Sequence, residues 1–493
     1  MTIVEVKKKL VNGEISCEKL VKGYLDKIKE VDSGERGINA VITLNEKEAL
    51  EKAIAIDKKI KKGETLDLLE GVPIAIKDVI CTKNLKTTAA SKILDNFIPT
   101  YDATAVRNLK KTGAIIIAKT NCDEFAHGAS GENSAYGATR NPYDLERVPG
   151  GSSSGSGAIV AYEGATAALG TDTGGSTRLP ASFLGLVGLK PTYGRVSRRG
   201  LIAMCSSIDT IAPITKNVSD AAILLSIISG KDSQDSTSSG FSGKDFTRDF
   251  NKDIKGLKIA YPKEALTKGL DEKVKKIFFE NLETLKAEGA KISPISLPLF
   301  GEPAVAVYYI IVPSEISSNL ARFDGVGYGM RESSAKDLKD FYSKTRTRYL
   351  GKEVKRRIML GNFSLSAGYF EAYYNKAQKV RRLIKEEAQK AFEKYDLIVT
   401  PTTATPPFKI GEKADPLSMY LVDIYSVYAN LAGICAISVN GGWIDNDSKA
   451  DSIFPNKKKK LPIGFQFMAK QWDEKTLLRA AHHFEQLVSK NNK

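Results

Sequence analysis

Two glycine/serine loops lie close together in this chain, VPGGSSSGSGA at residues 148–158 and GTDTGGSTRLP at 170–180. Such runs often serve as linkers, because glycine opens backbone space and serine solvates it. A linker would be followed by polar, aperiodic sequence, whereas Ala158-Ile159-Val160-Ala161 continues as an apolar segment that ends in the second loop. A dinucleotide loop would need glycine at position 160, occupied here by Val160, and no G-K-[ST] phosphate motif occurs here. Two such loops bracketing a buried segment therefore mark a site. The histidines limit its chemistry: only His127, His482 and His483 occur, the last two on an amphipathic C-terminal helix, so a Ser-His-Asp device lacks its base. Metal hydrolysis has no support either, since H-E-x-x-H is absent and no histidine stands at ligand spacing from carboxylates. The base is then a lysine. Lys77 directly follows the apolar run Gly71-Val72-Pro73-Ile74-Ala75-Ile76, where a side chain emerges at the carboxyl edge of a sheet with a buried stem that lowers its pKa.

The elements that must position these residues alternate between strand and helix patterns. Val72–Ile76 reads as a buried strand, Asp102 opens a helical stretch through Leu109 that Gly113 ends, and Ala114–Ala118 reads as a second strand. Asp396–Thr400 is a late strand before Pro401, and Leu477, Leu478, Ala481, Phe484 and Val488 line one face of a closing helix capped near Asp473. The pattern predicts an α/β protein. Residues 1–62 carry apolar positions at helical spacing, Leu20, Val21, Tyr24 and Ile28 among them, and read as an N-terminal helical layer on a main domain of residues 63–493. Residues 231–256 lack periodicity and read as a surface excursion, and the basic insert at 444–460, with Lys457-Lys458-Lys459-Lys460, reads as an exposed loop with no catalytic role.

At 493 residues and 42% hydrophobic, the chain can bury a large core. Its N-terminus has no apolar leader, and the most apolar run, Ala221–Ile228, is too short to span a bilayer, so the expectation is a cytoplasmic protein with no membrane partner. Five scattered cysteines, Cys17, Cys81, Cys122, Cys205 and Cys435, suit reduced thiols. A formal charge of +15 invites a nucleic-acid reading, yet lysines stand beside glutamates, as in Glu46-Lys47 and Lys385-Glu386-Glu387, the pattern of a solvated face.

GVPIAIKD, GGSSSGSGA and ALGTDTGGSTRLPASFLGLVGLKPTYGRVSRRGL together resemble the amidase signature family. The resemblance implies a central mixed β-sheet covered by helices on both faces, and a Ser-cisSer-Lys triad that hydrolyses amides. In this sequence the triad would be Lys77 as base, Ser152 as bridging serine after a cis Gly151–Ser152 bond, and Ser176 as nucleophile. The separations of 75 and 24 residues fit that pattern. The chemistry is coherent, because Ser176 must lose its proton to attack and a neutral lysine can accept it through an intermediate hydroxyl. For this the lysine pKa must fall by roughly 2–3 from about 10.4. The Gly-Gly before Ser176 lets the N–H groups of Thr173, Gly174, Gly175 and Ser176 converge as an oxyanion hole. Ser154 stands where the family usually has glycine, and Arg178 reads as a structural ion-pair partner.

The second half narrows the resemblance. Residues 308–329, 360–381 and 415–433 resemble the ammonia-supplying A subunits of aspartyl/glutamyl-tRNA(Asn/Gln) amidotransferases. That implies glutamine as substrate, with Arg356 reading its α-carboxylate and Asp423 its α-ammonium. It also implies B and C subunits as partners in a heterotrimer and misacylated tRNA met through the complex. No cofactor is expected in this chain, with ATP and magnesium only at the partner. A free-standing amidase for another amide, and a non-catalytic basic interaction protein on the same fold, are the competing readings.

Overall fold

Short runs of β-branched, leucine and alanine residues build one mixed sheet of eleven strands. They are β1 (Val41–Leu44), β2 (Pro73–Lys77), β3 (Ile115–Thr120), β4 (Ala167–Thr171), β5 (Val187–Lys190), β6 (Ile211–Thr215), β7 (Lys258–Pro262), β8 (Lys291–Ile295), β9 (Leu397–Pro401), β10 (Cys435–Asp445) and β11 (Lys460–Ala469). The spatial order is β1-β3-β2-β4-β6-β5-β10-β11-β9-β7-β8. β2 runs parallel to both β3 and β4, and β7 parallel to β8 and β9, while β10 and β11 form a long antiparallel hairpin at the centre. Every residue of β2, β3, β4, β5, β6 and β9 is buried, as strands covered on both faces must be. This is a computed structural model, describing residues 1–493 except 35, 241–244, 267, 268, 447, 449, 455–459, 492 and 493.

The first 62 residues are more than a helical layer. Helices Ile3–Val11, Cys17–Asp32 and Glu46–Lys61 bury Val6, Leu10, Leu20, Val21, Leu25 and Ile28, as their spacing predicts. Between them the β-branched run Val-Ile-Thr becomes β1 and pairs antiparallel with β3, so this segment adds an edge to the common sheet. The helix after Asp102 begins later than expected, at Thr104, because the Asp102 carboxylate instead accepts from the Lys83 N–H and Lys110 Nζ. The 221–228 run lies in the short apolar helix Val218–Ile228, as expected, and a longer, less apolar helix is Glu302–Asn319. With the turn to Arg322 it is long and apolar enough to cross a membrane, yet 61% of it is buried inside the fold.

Both presumed surface excursions are anchored. In 231–256, Asp232 accepts from the Thr104 and Ser197 hydroxyls, and Phe246 is buried under the Arg195 guanidinium. The insert at 444–460 connects β10 to β11. It is not simply exposed: buried Asn446 donates to Asp144 at 2.8 Å, and Ile453 N–H donates to the Pro142 carbonyl, so its described part folds onto residues 142–147. Lys457–Lys459 lie outside the described residues, and Lys460 begins β11. The lysine-glutamate alternation behaves as expected at Glu46, which pairs with Lys29. Glu387 instead turns inward to accept from Leu299 N–H and the Tyr428 hydroxyl. All five cysteines are buried and unpaired.

Candidate active site

β2 delivers Lys77 to the carboxyl edge of the sheet, where its parallel neighbour β4 also ends, at Thr171. The loop before helix Ser154–Ala161 crosses that edge. Here Lys77 Nζ stands 2.8 Å from Ser152 Oγ, 3.0 Å from Ser153 Oγ and 2.8 Å from Thr171 Oγ1, with no solvent exposure. Burial pulls its pKa down to about 8 from 10.5, against nearby carboxylates at Asp123, Asp172 and Asp209 that favour the charged form. Ser153 Oγ donates to the Thr171 carbonyl and accepts from the Thr171 N–H, so toward the lysine it is an acceptor. A neutral amine has two N–H groups and one lone pair. With Ser153 and Thr171 taking the N–H groups, the lone pair is left for the Ser152 hydroxyl. The Gly151–Ser152 bond is cis.

The helix behind this loop explains the glycines that resemble a linker. Helix Ser154–Ala161 is packed between layers, and a Cβ at Gly155 would collide with the backbone of Ala40 and Asn121. Ser154 is accommodated because Gly131 faces it, and its hydroxyl pairs with that of Thr139 at 3.1 Å.

The Ser176 loop hangs on Asp172. Its carboxylate takes two hydrogen bonds from Arg178, one from Asn430 and one from the Gly175 N–H at 3.0 Å. Burial would raise the Asp172 pKa, but the Arg178 guanidinium holds it down to about 2. Arg178, fully buried, also donates to Gln466, Asn430 and the Ser426 carbonyl, which gives it the structural ion-pair role expected. Gly175 departs from the four-donor expectation because its N–H is already committed to Asp172. The N–H groups of Thr173, Gly174 and Ser176 make no hydrogen bond with the described residues. Gly175 has φ +131°, a Cβ there would strike Ser426, and one at Gly174 would strike the Tyr308 hydroxyl. Thr173 is fixed from behind by its hydroxyl bond to Asp209 at 2.8 Å.

A cavity of about 240 Å³ lies between a wall containing Gly128, Ser130 and Asn133 and the helix Lys352–Leu365, and its lining includes no residue of the two glycine/serine loops. Gly151 N–H donates to the Ala129 carbonyl at 2.7 Å, which joins that wall to the residue preceding Ser152. Arg356 lines the cavity, is about one-third exposed and pairs with Glu353. Asp423 is almost fully buried, accepts from the Tyr309 hydroxyl at 2.7 Å and has its pKa pushed by burial up to about 7. Arg357, which follows Arg356 in sequence, is buried against the stacked rings of Tyr309 and Tyr420 and, with Arg178, acts on Asp423 to lower its pKa against the effect of burial. The structure thus brings Lys77, Ser152 and the Ser176 loop together and puts two arginines at the cavity wall where one was expected. His482 is a packing residue, stacked on Phe250 with ring centroids 4.3 Å apart.

Sequence reasoning missed Ser153, Thr171, Asp172, Asp209 and Arg357. A single signal could have found the first: in a loop of consecutive serines beside a lysine, more than one hydroxyl is within reach.

The Amidase family model matches residues 19–478. The A subunit of glutamyl-tRNA(Gln) amidotransferase from Geobacter metallireducens is 50% identical, with 99% of this chain and 97% of the relative covered. The same-named protein of Geobacillus thermodenitrificans is 52% identical over 98% and 96%. Among solved structures, the glutamyl-tRNA(Gln) amidotransferase A subunit of Thermotoga maritima superposes with a TM-score of 0.80 at 42% identity, covering 99% of this chain and 94% of that one. The peptide amidase of Stenotrophomonas maltophilia gives 0.80 at 30% identity, covering 99% and 96%. Matched by the family model over residues 19–478 and by relatives about 50% identical along nearly its whole length, the chain belongs to the amidase signature family.

Proposed function

We propose that this chain is the glutaminase subunit of a tRNA-dependent amidotransferase. It frees ammonia from glutamine for a partner subunit that amidates Glu-tRNA(Gln), Asp-tRNA(Asn) or both. The observation that carries this reading is about 50% identity, end to end, with glutamyl-tRNA(Gln) amidotransferase A subunits. In this reading the chain works in the cytoplasm in a heterotrimer with B and C subunits, and ATP and magnesium act at the partner.

The geometry supports the following chemistry. Neutral Lys77 takes the proton of Ser152, which takes that of Ser176 as Ser176 Oγ bonds to the δ-carbonyl carbon of glutamine. The carbonyl oxygen becomes an oxyanion facing the free N–H groups of Thr173, Gly174 and Ser176. The relayed proton returns to the departing nitrogen, the C–N bond breaks, and ammonia leaves a glutamyl ester on Ser176. Water, deprotonated along the same path, hydrolyses the ester to glutamate. Asp423 receives the α-ammonium and Arg356 the α-carboxylate, with Arg357 completing the positive wall.

The test is glutamine hydrolysis by the chain co-purified with its partner subunits. Ammonia and glutamate released one for one, and lost in Ser176→Ala, support the reading. Faster turnover of aryl or peptide amides than of glutamine would replace it with a free-standing amidase.

A further inference from the structure

Glu124 has no part in the chemistry above, yet it joins the two walls of the cavity that Arg356 and Arg357 line. It is 2% exposed and sits at the start of a tight turn in which Phe125 and Ala126 adopt left-handed backbone (φ 49° and 65°). That turn leads into Gly128, Ser130 and Asn133, which form one wall. The Glu124 backbone is fixed to this wall, since its N–H donates to the Asn133 carbonyl at 3.1 Å and its carbonyl accepts from the His127 N–H at 2.9 Å. Its carboxylate faces the other way. Oε1 accepts from the Ser91 hydroxyl, and Oε2 accepts from the N–H of Gly351 at 2.8 Å.

Gly351 caps the helix Lys352–Leu365, which carries Lys352, Glu353, Arg356 and Arg357 along the opposite wall. That helix has no side-chain cap of its own, so Glu124 supplies an acceptor for one of its orphan N–H groups from another part of the chain. A Cβ at Gly351 would fall on Glu124 Oε2, so the contact requires glycine here. We infer that Glu124 is a positioning residue for glutamine recognition: by holding the start of the Arg356/Arg357 helix against the Gly128–Asn133 wall, it sets where the α-carboxylate is received. The inference rests on the glutaminase reading, and it predicts a defect in binding and not in the Lys77 relay, because Glu124 touches none of Lys77, Ser152 and Ser176.

The experiment compares kcat and KM for glutamine, and kcat/KM for a small aliphatic amide with no α-substituents, in the full complex. Glu124→Ala is expected to raise the glutamine KM at least tenfold, with kcat within threefold and small-amide turnover unchanged. Glu124→Gln should keep KM within about threefold, because the amide oxygen can still accept from Gly351 while its NH2 turns to Ser91, whose hydroxyl also has the Tyr349 carbonyl within reach. If Glu124→Ala does not fold, Gly351→Ala reports on the same contact from the other side and should reproduce the KM rise. An unchanged KM in either variant, or parallel loss on glutamine and the small amide, overturns the inference. Failure of the glutaminase reading is distinguishable, because the wild-type complex itself would then not hydrolyse glutamine, whereas failure of the clamp leaves wild-type activity intact.

Discussion

The backbone N–H of Ser153 donates to the carbonyl oxygen of Ser176 at 3.1 Å, and this bond holds the two glycine/serine loops side by side. It puts Ser152 and the Ser176 loop in one frame with Lys77, since Ser153 also bonds the lysine through its hydroxyl. A relay held this way should behave as a unit. Ser152→Ala and Ser176→Ala are each expected to cut kcat for glutamine by at least a thousandfold, and the double variant to be little worse than either single. Losses that multiply in the double variant would show two independent contributions and break the relay.

The proposal that Lys77 is the base predicts a pH profile. Only neutral Lys77 accepts a proton, and its pKa is lowered by burial to about 8. The fraction neutral therefore rises with pH, from about a tenth at pH 7 to most of the enzyme at pH 9. The kcat/KM for an uncharged small amide should climb about tenfold per pH unit below 8 and level off above it. Lys77→Ala should abolish the activity while leaving the thermal unfolding transition in place. A profile flat from pH 6 to 9, or Lys77→Ala activity within tenfold of wild type, would remove the lysine from the mechanism.

Much of this frame was legible in the sequence because it rests on local signals. The strand before Lys77, the two glycine loops and the closing helix each declare themselves through periodicity or turn chemistry. What was not legible depends on distant partners. Val41–Leu44 is too short to distinguish from a loop until β3 lies beside it, and Asn446 looks solvated until Asp144 is seen to need it. The choice between Arg356 and Arg357 is of the same kind: both lie in one basic run, and only the fold buries one against Tyr309 and Tyr420 while leaving the other at the rim. The Gly175 N–H is a different case: the Asp172 carboxylate that accepts it stands only three residues earlier, a local signal that the reading of the loop overlooked.

Those two arginines separate by experiment. Asp423→Asn should raise the glutamine KM tenfold or more and leave a small amide without an α-amino group nearly unaffected. Arg356→Ala should do the same through the α-carboxylate with the fold intact, since its side chain is partly exposed. Arg357→Ala removes a buried cation packed on two tyrosine rings and is expected to lower stability as well as binding. Urea unfolding alongside kinetics distinguishes them. Equal loss on glutamine and the small amide in Asp423→Asn would make that carboxylate structural.

Arg178 is a test of the frame itself. Arg178→Met leaves Asp172 buried with its charge unpaired, which should destabilise the fold by about 3–5 kcal/mol. Because Asp172 also holds the Gly175 N–H, the Ser176 loop should loosen, and activity should fall further than the folded fraction does. Chemical unfolding with parallel kinetics measures both, and a variant of wild-type stability would show that the pair is dispensable.

The last prediction separates making ammonia from using it. If Ser176 only releases ammonia, a complex carrying Ser176→Ala should lose glutamine-dependent amidation of misacylated tRNA but still amidate it when ammonium chloride is supplied at high concentration. The substitution removes one hydroxyl from a loop fixed by Asp172, Asp209 and Ser153, so the fold and the contacts between subunits should persist, which size-exclusion chromatography of the complex verifies. If ammonium-dependent amidation falls in parallel with the glutamine-dependent reaction while the complex stays assembled, the two activities are not divided between subunits as proposed. If glutamine-dependent amidation survives at a substantial fraction of wild type, another group attacks the amide. The convergence of Lys77, Ser152 and the Ser176 loop would then need a different explanation.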